Sequence, residues 1–282
     1  MLLLHDLMRE GAERLSAGPH PERARADAEL LLLSVLNKNK AWLMAHGEEE
    51  ATGAQAASYH ELLKRRFEGE PIQYIMGEAE FYGLPFQVTR DVLIPRPETE
   101  HLVEEVITLA GNFAAPLMVD VGTGSGAIAI ALAHHLRNAT VTAIDLSACA
   151  LNVARENATR NGESRIRFLE GDLLTPVSGE SFEFVISNPP YVPASDRASL
   201  SVEVRDFEPE LALFAGRDGL DIYRRLIPAA FSALVPSGYL ALEIGFGQSS
   251  TITSLLTNSG FEQVKFVADL QGIARVACAR RR

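Results

Sequence analysis

From residue 117 to the C-terminus, short apolar runs alternate with helical stretches, and this alternation restricts the fold more than any other feature of the chain. Strands are expected at 117–121, 140–144, 166–169, 182–187 and 239–244, with helices over 125–136, 147–161, 219–235 and 248–258. Strands that alternate with helices of this length bury both faces of a sheet and predict a doubly wound α/β architecture. Two closing strands are expected at 262–268 and 273–279, joined through residues 268–272. A parallel crossover needs about a dozen residues or more, so this last pair must be an antiparallel hairpin. The expected fold is a Rossmann-like, doubly wound, mostly parallel seven-stranded sheet closed by a terminal antiparallel hairpin, which differs from the ordinary dinucleotide fold.

The first 70 residues have a different character. Ala24, Ala28, Leu31, Leu32 and Val35 recur at spacings of three and four and form one helical stripe, and Tyr59, Leu62, Leu63 and Phe67 form another. The polar turn Asn37-Lys38-Asn39-Lys40 lies between them. The expectation is a small all-α N-terminal domain over 1–70, then a β-hairpin connector over 71–95 built on Phe81-Tyr82-Gly83-Leu84-Pro85-Phe86, then a catalytic domain over 96–282. Pro97-Glu98-Thr99-Glu100 reads as the start of a helix that ends at Gly111, with proline and acidic residues suited to a first turn.

The first chemical signal is Asp120-Val121-Gly122-Thr123-Gly124-Ser125-Gly126, between a strand and a helix. Glycines there allow a tight turn and a close ligand approach, and the helix start offers N–H groups to an acceptor. Asp145, at the end of the next strand, can accept both hydroxyls of a ribose. Asp172, just past the third strand, can reach an adenine amine or the neighbouring loop backbone. The loop also reads as G-x-G-x-x-A, so by itself it leaves S-adenosylmethionine and NAD both open. No G-K-[ST] follows it, and Thr123 and Ala127 stand where a nucleophile elbow around Ser125 would need glycine.

The second signal is Asn188-Pro189-Pro190-Tyr191, after the fourth strand at the carboxyl edge where ligands of such sheets sit. Two prolines remove two backbone donors and stiffen the turn. The Asn188 Oδ1 and Pro189 carbonyl can then accept both hydrogens of a planar NH2 group, with Tyr191 as an aromatic wall. An amide nitrogen has its lone pair in resonance. As it attacks a sulfonium methyl and pyramidalises, positive charge grows on it, and fixed dipoles stabilise that charge. No strong general base is needed, because the proton becomes acidic once the methyl has moved.

These two motifs together resemble the class I S-adenosylmethionine-dependent methyltransferases that act on amino and amide nitrogens. The likeness narrows at Pro71-Ile72-Gln73-Tyr74-Ile75-Met76-Gly77, Glu80-Phe81-Tyr82-Gly83, Ile94-Pro95-Arg96-Pro97-Glu98-Thr99-Glu100 and Phe207-Glu208-Pro209, followed by Asp218-Gly219-Leu220. On these residues the chain is similar to the HemK/PrmC family, the peptide chain release factor glutamine N(5)-methyltransferases. The resemblance implies that Gly122, Thr123, Gly124, Ser125, Gly126, Asp145, Asp172, Leu173 and Asn188 contact S-adenosylmethionine, with Leu173 giving the adenine an apolar surface. It implies that Asn188, Pro189, Pro190 and Tyr191 bind and methylate the glutamine of a Gly-Gly-Gln motif, and that the helical domain docks the release factor. A paralogous class methylates a ribosomal protein and tends to carry Pro-Arg-Ser-Pro where this chain has Pro95-Arg96-Pro97-Glu98.

Composition weighs on the rivals. Net charge is −11, whereas a protein that grips a phosphate backbone presents a basic surface. That counts against amino methylation of adenine or cytosine in nucleic acid, and no stable nucleic-acid partner is expected. An NAD-dependent oxidoreductase would leave the Asn-Pro-Pro-Tyr turn without a role, and a non-catalytic module would not need Gly122, Asp145 and Asn188 together. Two cysteines and seven histidines show no ligand spacing, so no metal is expected. No signal peptide or membrane span is expected, two cysteines without a disulfide framework fit a reduced cytoplasm, and a monomer is the expected state. Phe81, Arg96, Glu98 and Thr99 could line a substrate entrance, Glu208-Pro209 could close over it, and Arg280-Arg281-Arg282 reads as a solvated tail.

Overall fold

The computed structural model describes residues 2–282, which divide into two compact units. One comprises the chain up to Gly77 together with Leu200–Phe207. The other comprises Glu78–Ser199 and Glu208–Arg282.

The helical unit contains α1 (Leu4–Ser16), α2 (Ala24–Leu36), α3 (Lys40–His46), α4 (Gly53–Phe67) and α5 (Ile72–Met76). Asn37 ends the second helix in the left-handed region, the Asn39 side chain accepts from the Trp42 N–H to start the third, and Thr52 with Gln55 forms a capping box on the fourth. Leu7, Leu31, Leu32, Tyr59 and Leu63 fill the core. Gly11 lets α1 and α4 approach closely, since a Cβ there would lie 2.0 Å from the Tyr59 hydroxyl. That hydroxyl donates to the Ala28 carbonyl at 3.1 Å. Arg66 lies only 2% exposed among these helices. Its guanidinium bonds Asp27 Oδ2 at 2.7 Å, the Glu70 carbonyl at 3.0 Å and Glu203 Oε1 at 2.5 Å. This ion pair fastens the remote segment Leu200–Phe207 to the helices.

The second unit begins with the hairpin β1 (Glu78–Phe81) and β2 (Leu84–Gln87), followed by α6 (Glu100–Ala110). Then come β3 (Leu117–Val121), α7 (Ala127–His135), β4 (Thr140–Asp145), α8 (Ala148–Arg160), β5 (Arg167–Glu170) and β6 (Phe182–Ser187). After α9 (Val202–Phe207), which lies in the segment held by Arg66, follow α10 (Asp221–Ala233), β7 (Leu234–Glu243), α11 (Ser249–Asn258), β8 (Phe261–Ala268) and β9 (Ala274–Arg281). The seven-stranded sheet has the order β5-β4-β3-β6-β7-β9-β8, and β9 runs antiparallel to both of its neighbours. The doubly wound sheet with its reversed strand is the expected one. Chain order turns back between β3 and β6, which opens a crevice at the carboxyl ends of those strands. Separate apolar cores form on the two faces, one around Met118, Ile130 and Phe184 and the other around Val185, Tyr223 and Leu240.

The units differ from the expected division at 70 and 95. Ile72 is buried in the helical core, so that unit runs on to Gly77. The hairpin is not a free-standing connector, because Phe81 and Phe86 pack into the sheet core. The chain end also departs from a solvated tail. Arg280 and Arg281 lie in β9, and the Arg281 guanidinium stacks over the Phe231 ring and bonds the Leu234 carbonyl.

Removing one partner of a buried ion pair leaves an uncompensated charge and costs about 3–5 kcal/mol. Arg66→Met should therefore lower the stability of the helical unit by about that amount. Denaturant unfolding followed by Trp42, the single tryptophan of the chain, reports on this unit directly. A loss below about 1 kcal/mol would mean that the pair adds little beyond hydrophobic burial.

Candidate active site

A cavity of about 200 Å³ lies at the carboxyl edge of β3, β4 and β6. Its wall contains Gly122, Thr123, Gly124, Ser125, Asp145, Asp172, Leu173, Asn188, Pro189 and Pro190, so the structure gathers most of the residues singled out from the sequence. Gly126 and Tyr191 are not part of the lining. Gly126 instead starts α7 at φ 83°, tightly packed, where a Cβ would meet the Ile130 side chain at 2.9 Å. Phe81, Arg96, Thr99 and Pro209 complete the wall as the sequence allowed, whereas Glu98 does not line it.

The glycine loop is held from inside the protein. Gly122 and Thr123 donate their N–H groups to the Ile144 carbonyl, Gly124 donates to Asp145 Oδ2 at 2.8 Å, and Gly126 donates to the Thr123 carbonyl. Four of the five loop N–H groups are thereby used, so the loop is not the open anion nest that a pyrophosphate requires. Space beside it remains open: a Cβ on Gly122 or Gly124 would meet no atom within 4 Å. Beneath the loop, Thr123 donates to Asp120 Oδ2 at 2.6 Å. Burial, with the Asp145 charge adding to it, pushes the fully buried Asp120 carboxyl up to about 7 against the Thr123 hydrogen bond.

Asp145 accepts from the Ser147 N–H at 2.9 Å as well as from Gly124, one bond on each oxygen. Burial raises its pKa, and these backbone donors oppose the rise. Each oxygen keeps a lone pair, which suits a vicinal diol. Asp172 differs from expectation. Its carboxylate is paired with the Arg225 guanidinium, which turns part of its acceptor capacity away from an adenine. Leu173, held at φ 51°, presents an apolar side chain to the cavity wall.

The Asn188 turn is anchored by residues that the sequence did not single out together. Asn188 Nδ2 donates to Thr99 Oγ1 at 3.1 Å, and the Thr99 hydroxyl donates to Glu243 Oε2 at 2.5 Å. Tyr191, expected as an aromatic wall, directs its hydroxyl to Glu243 Oε1 at 3.2 Å. Its carbonyl accepts from Gln248 Nε2, and Tyr223 donates to the Glu243 carbonyl at 2.7 Å. Glu243 is 2% exposed, and burial raises its pKa against the Thr99 and Tyr191 hydrogen bonds. Burial also holds the Tyr191 hydroxyl firmly protonated. At the rim, Arg96 Nη2 bonds both carboxylate oxygens of Glu208 at 2.6 Å, so Glu208 braces the entrance beside Pro209. Thr99 was expected only as part of a substrate entrance, and Glu243, the last residue of β7, was not expected at the site.

The cavity thus combines carboxylate and carbonyl acceptors with apolar walls. Among the described residues no cluster of His, Cys, Asp and Glu is arranged to hold a metal ion. The arrangement suits a ribose-bearing ligand on one side and a planar NH2 group on the other.

Comparison with known proteins agrees with this chemistry. Residues 6–77 match the family described as PrmC N-terminal domain, and residues 99–204 match the Methyltransferase small domain. The chain is 43% identical to the release factor glutamine methyltransferase of Koribacter versatilis, over 91% of each protein. It is 41% identical to that of Geobacter sulfurreducens over 92% of this chain and 90% of the relative. It is also 41% identical to that of Moorella thermoacetica over 100% and 99%. In fold alone it resembles a methyltransferase from Pyrococcus furiosus, with a TM-score of 0.52 and 20% identity over 71% of this chain and 90% of that one. A ribosomal protein L11 methylase from Lactobacillus delbrueckii is similar at a TM-score of 0.51 and 23% identity, over 69% and 84%. Full-length identity above 40% to several relatives, with both family domains in order, places the chain among the release factor glutamine methyltransferases.

Proposed function

We propose that methyl transfer takes place in the cavity between the 122–126 loop and the Asn188 turn, with the glutamine amide held by Asn188 Oδ1 and the Pro189 carbonyl. The activity itself follows from the family: the chain methylates the side-chain amide nitrogen of a release-factor glutamine, with S-adenosylmethionine as methyl donor. The glutamine is read as that of a Gly-Gly-Gln motif, and the enzyme as a cytoplasmic monomer whose site draws on one chain. The observation that carries the site reading is the orientation of Asn188, whose amide NH2 is engaged by Thr99 and whose Oδ1 is left for a ligand.

S-adenosylmethionine would supply a methyl group on a sulfonium centre, and the polar and apolar groups that line the cavity suit it. The Asp145 lone pairs suit the ribose hydroxyls. The open space beside Gly122 and Gly124 admits close contact with the backbone, and Leu173 gives the adenine an apolar surface. At the other end, two fixed acceptors hold the two amide hydrogens and orient the nitrogen lone pair along the line of attack. Positive charge that develops on nitrogen meets carbonyl dipoles that need no reorganisation. Alignment of nitrogen, methyl carbon and sulfur supplies much of the remaining rate. Bound there, S-adenosylmethionine would give up its methyl group to the nitrogen with the electron pair of the broken carbon–sulfur bond left on sulfur, and the extra amide proton would leave to water.

Asn188→Ala should lower kcat by about 10²-fold or more, the size seen when a fixed electrostatic group is removed. Cofactor affinity should stay near that of the parent protein. Calorimetry with S-adenosylmethionine, beside a labelled-methyl assay on a purified release factor, measures both, and full activity would overturn the clamp. Asp145→Ala should weaken cofactor binding by about tenfold or more, because it removes the diol acceptor and frees the Gly124 N–H. Unchanged affinity would remove the ribose role. Gly219, at φ 75°, lies so close to the turn that a Cβ there would sit 2.2 Å from the Tyr191 carbonyl oxygen. Gly219→Ala should therefore displace the turn and depress kcat more than cofactor affinity, as the same two assays would register.

A further inference from the structure

We propose that Glu243 is a positioning residue that sets the orientation of the Asn188 amide, acting through the Thr99 hydroxyl. The proposal rests on the reading of Asn188 as the clamp for the substrate amide. An asparagine amide can flip, exchanging its oxygen and nitrogen with little change in shape. In one orientation Asn188 offers the substrate NH2 an acceptor, and in the other it offers a second NH2 group that repels it. Prolines stiffen the backbone of the turn, but nothing in them selects between these two states.

The selection comes from the far end of the hydrogen-bond chain. An ionised carboxylate accepts and cannot donate, so Glu243 Oε2 accepts the hydrogen bond of the Thr99 hydroxyl. The Thr99 oxygen must then act as acceptor toward Asn188, and only the Nδ2 edge can satisfy it. Oδ1 is thereby forced to the cavity side. Tyr191 delivers a second hydroxyl proton to Oε1, and Tyr223 pins the Glu243 backbone, so the carboxylate is held at both ends. Thr99 and Glu243 are both buried, 4% and 2% exposed, which keeps water from substituting for either partner. The buried carboxylate also places a negative charge three hydrogen bonds behind the nitrogen that becomes positive.

Protonation of Glu243 would reverse the chain. The new O–H could donate to Thr99, whose hydroxyl would then donate to Asn188 and favour the flipped amide. Burial places this proton uptake above the ordinary carboxylate range, so kcat should fall as pH drops through the raised pKa. The charged and titratable groups facing Glu243 are Glu98, which raises its pKa, Arg275, which lowers it, and the protonated Tyr191 and Tyr223. Arg96, near Tyr191, is engaged with Glu208.

The test uses the full-length enzyme with S-adenosylmethionine and a purified release factor, both at saturating concentration. Thr99→Val, which breaks the relay, should lower kcat by about tenfold or more with KM and cofactor affinity little changed. Thr99→Ser, which keeps the hydroxyl, should restore most of that loss. Glu243→Gln should lower kcat several-fold and remove the acidic limb from the pH profile of kcat, an effect that a merely structural defect would not produce. If Asn188→Ala is inactive while Thr99→Val keeps the parent kcat, or while Glu243→Gln keeps the acidic limb, the positioning role is wrong and the clamp stands. If Asn188→Ala is itself fully active, the clamp reading fails first.

Discussion

Strands β3 to β7 of the large sheet all run in one direction, so the loops that follow them collect at a single edge, and the site depends on how those loops are tied together. Asp145 joins the loop after β4 to the glycine loop after β3 through the Gly124 N–H. The Ser187 hydroxyl at the end of β6 donates to the Val121 carbonyl at the end of β3, at 2.6 Å. Tyr223 reaches from α10 to the end of β7. The first two bonds cross between neighbouring strand ends, and the third ties a helix to a strand end. The cofactor side and the amide side of the cavity are therefore parts of one braced surface rather than independently mobile loops.

Much of this could be read from the residues. Alternating apolar runs located every strand of the large sheet, and the short link between the last two strands required the reversed one. The glycine loop and the Asn-Pro-Pro-Tyr turn marked the two halves of the cavity because their backbone chemistry is local. What could not be read was tertiary pairing. Glu243 sits in Leu242-Glu243-Ile244, a strand end like many others, and its meaning arises only when Thr99 and Tyr191 arrive from 144 and 52 residues away. Asp172 was placed correctly beside the cavity, but its partner Arg225 lies on a helix 53 residues later. The place of Leu200–Phe207 beside the helices could not be read for the same reason: Glu203 has no local pattern and acquires its place only from Arg66.

The site's electrostatics also fit its ligand better than the net charge does. A charge of −11 spread over a surface mostly argues about partners. Asp145 in the cavity wall is half-buried, Asp120 and Glu243 lie buried away from the lining, all three have raised pKa values, and most loop N–H groups are already engaged. With those N–H groups engaged, the loop has few donors left for a pyrophosphate, while Asp145 offers acceptors beside it. The ambiguity between a dinucleotide and a sulfonium cofactor, which the glycine loop alone leaves open, is narrowed by hydrogen-bond accounting rather than by the glycines themselves.

The segment Leu200–Phe207 gives the chain an unusual order of completion. The helical unit is specified almost wholly by the chain up to Gly77, yet one partner of its buried arginine is synthesised more than a hundred residues later. During translation the helices would emerge with Arg66 missing one of its carboxylates, and that unit could be finished only after most of the sheet had been made. Evolution cannot easily exchange such a unit as an N-terminal cassette, because a replacement would have to recognise a piece of chain embedded in its neighbour. The two units are interleaved in sequence, and this ties the history of one to that of the other.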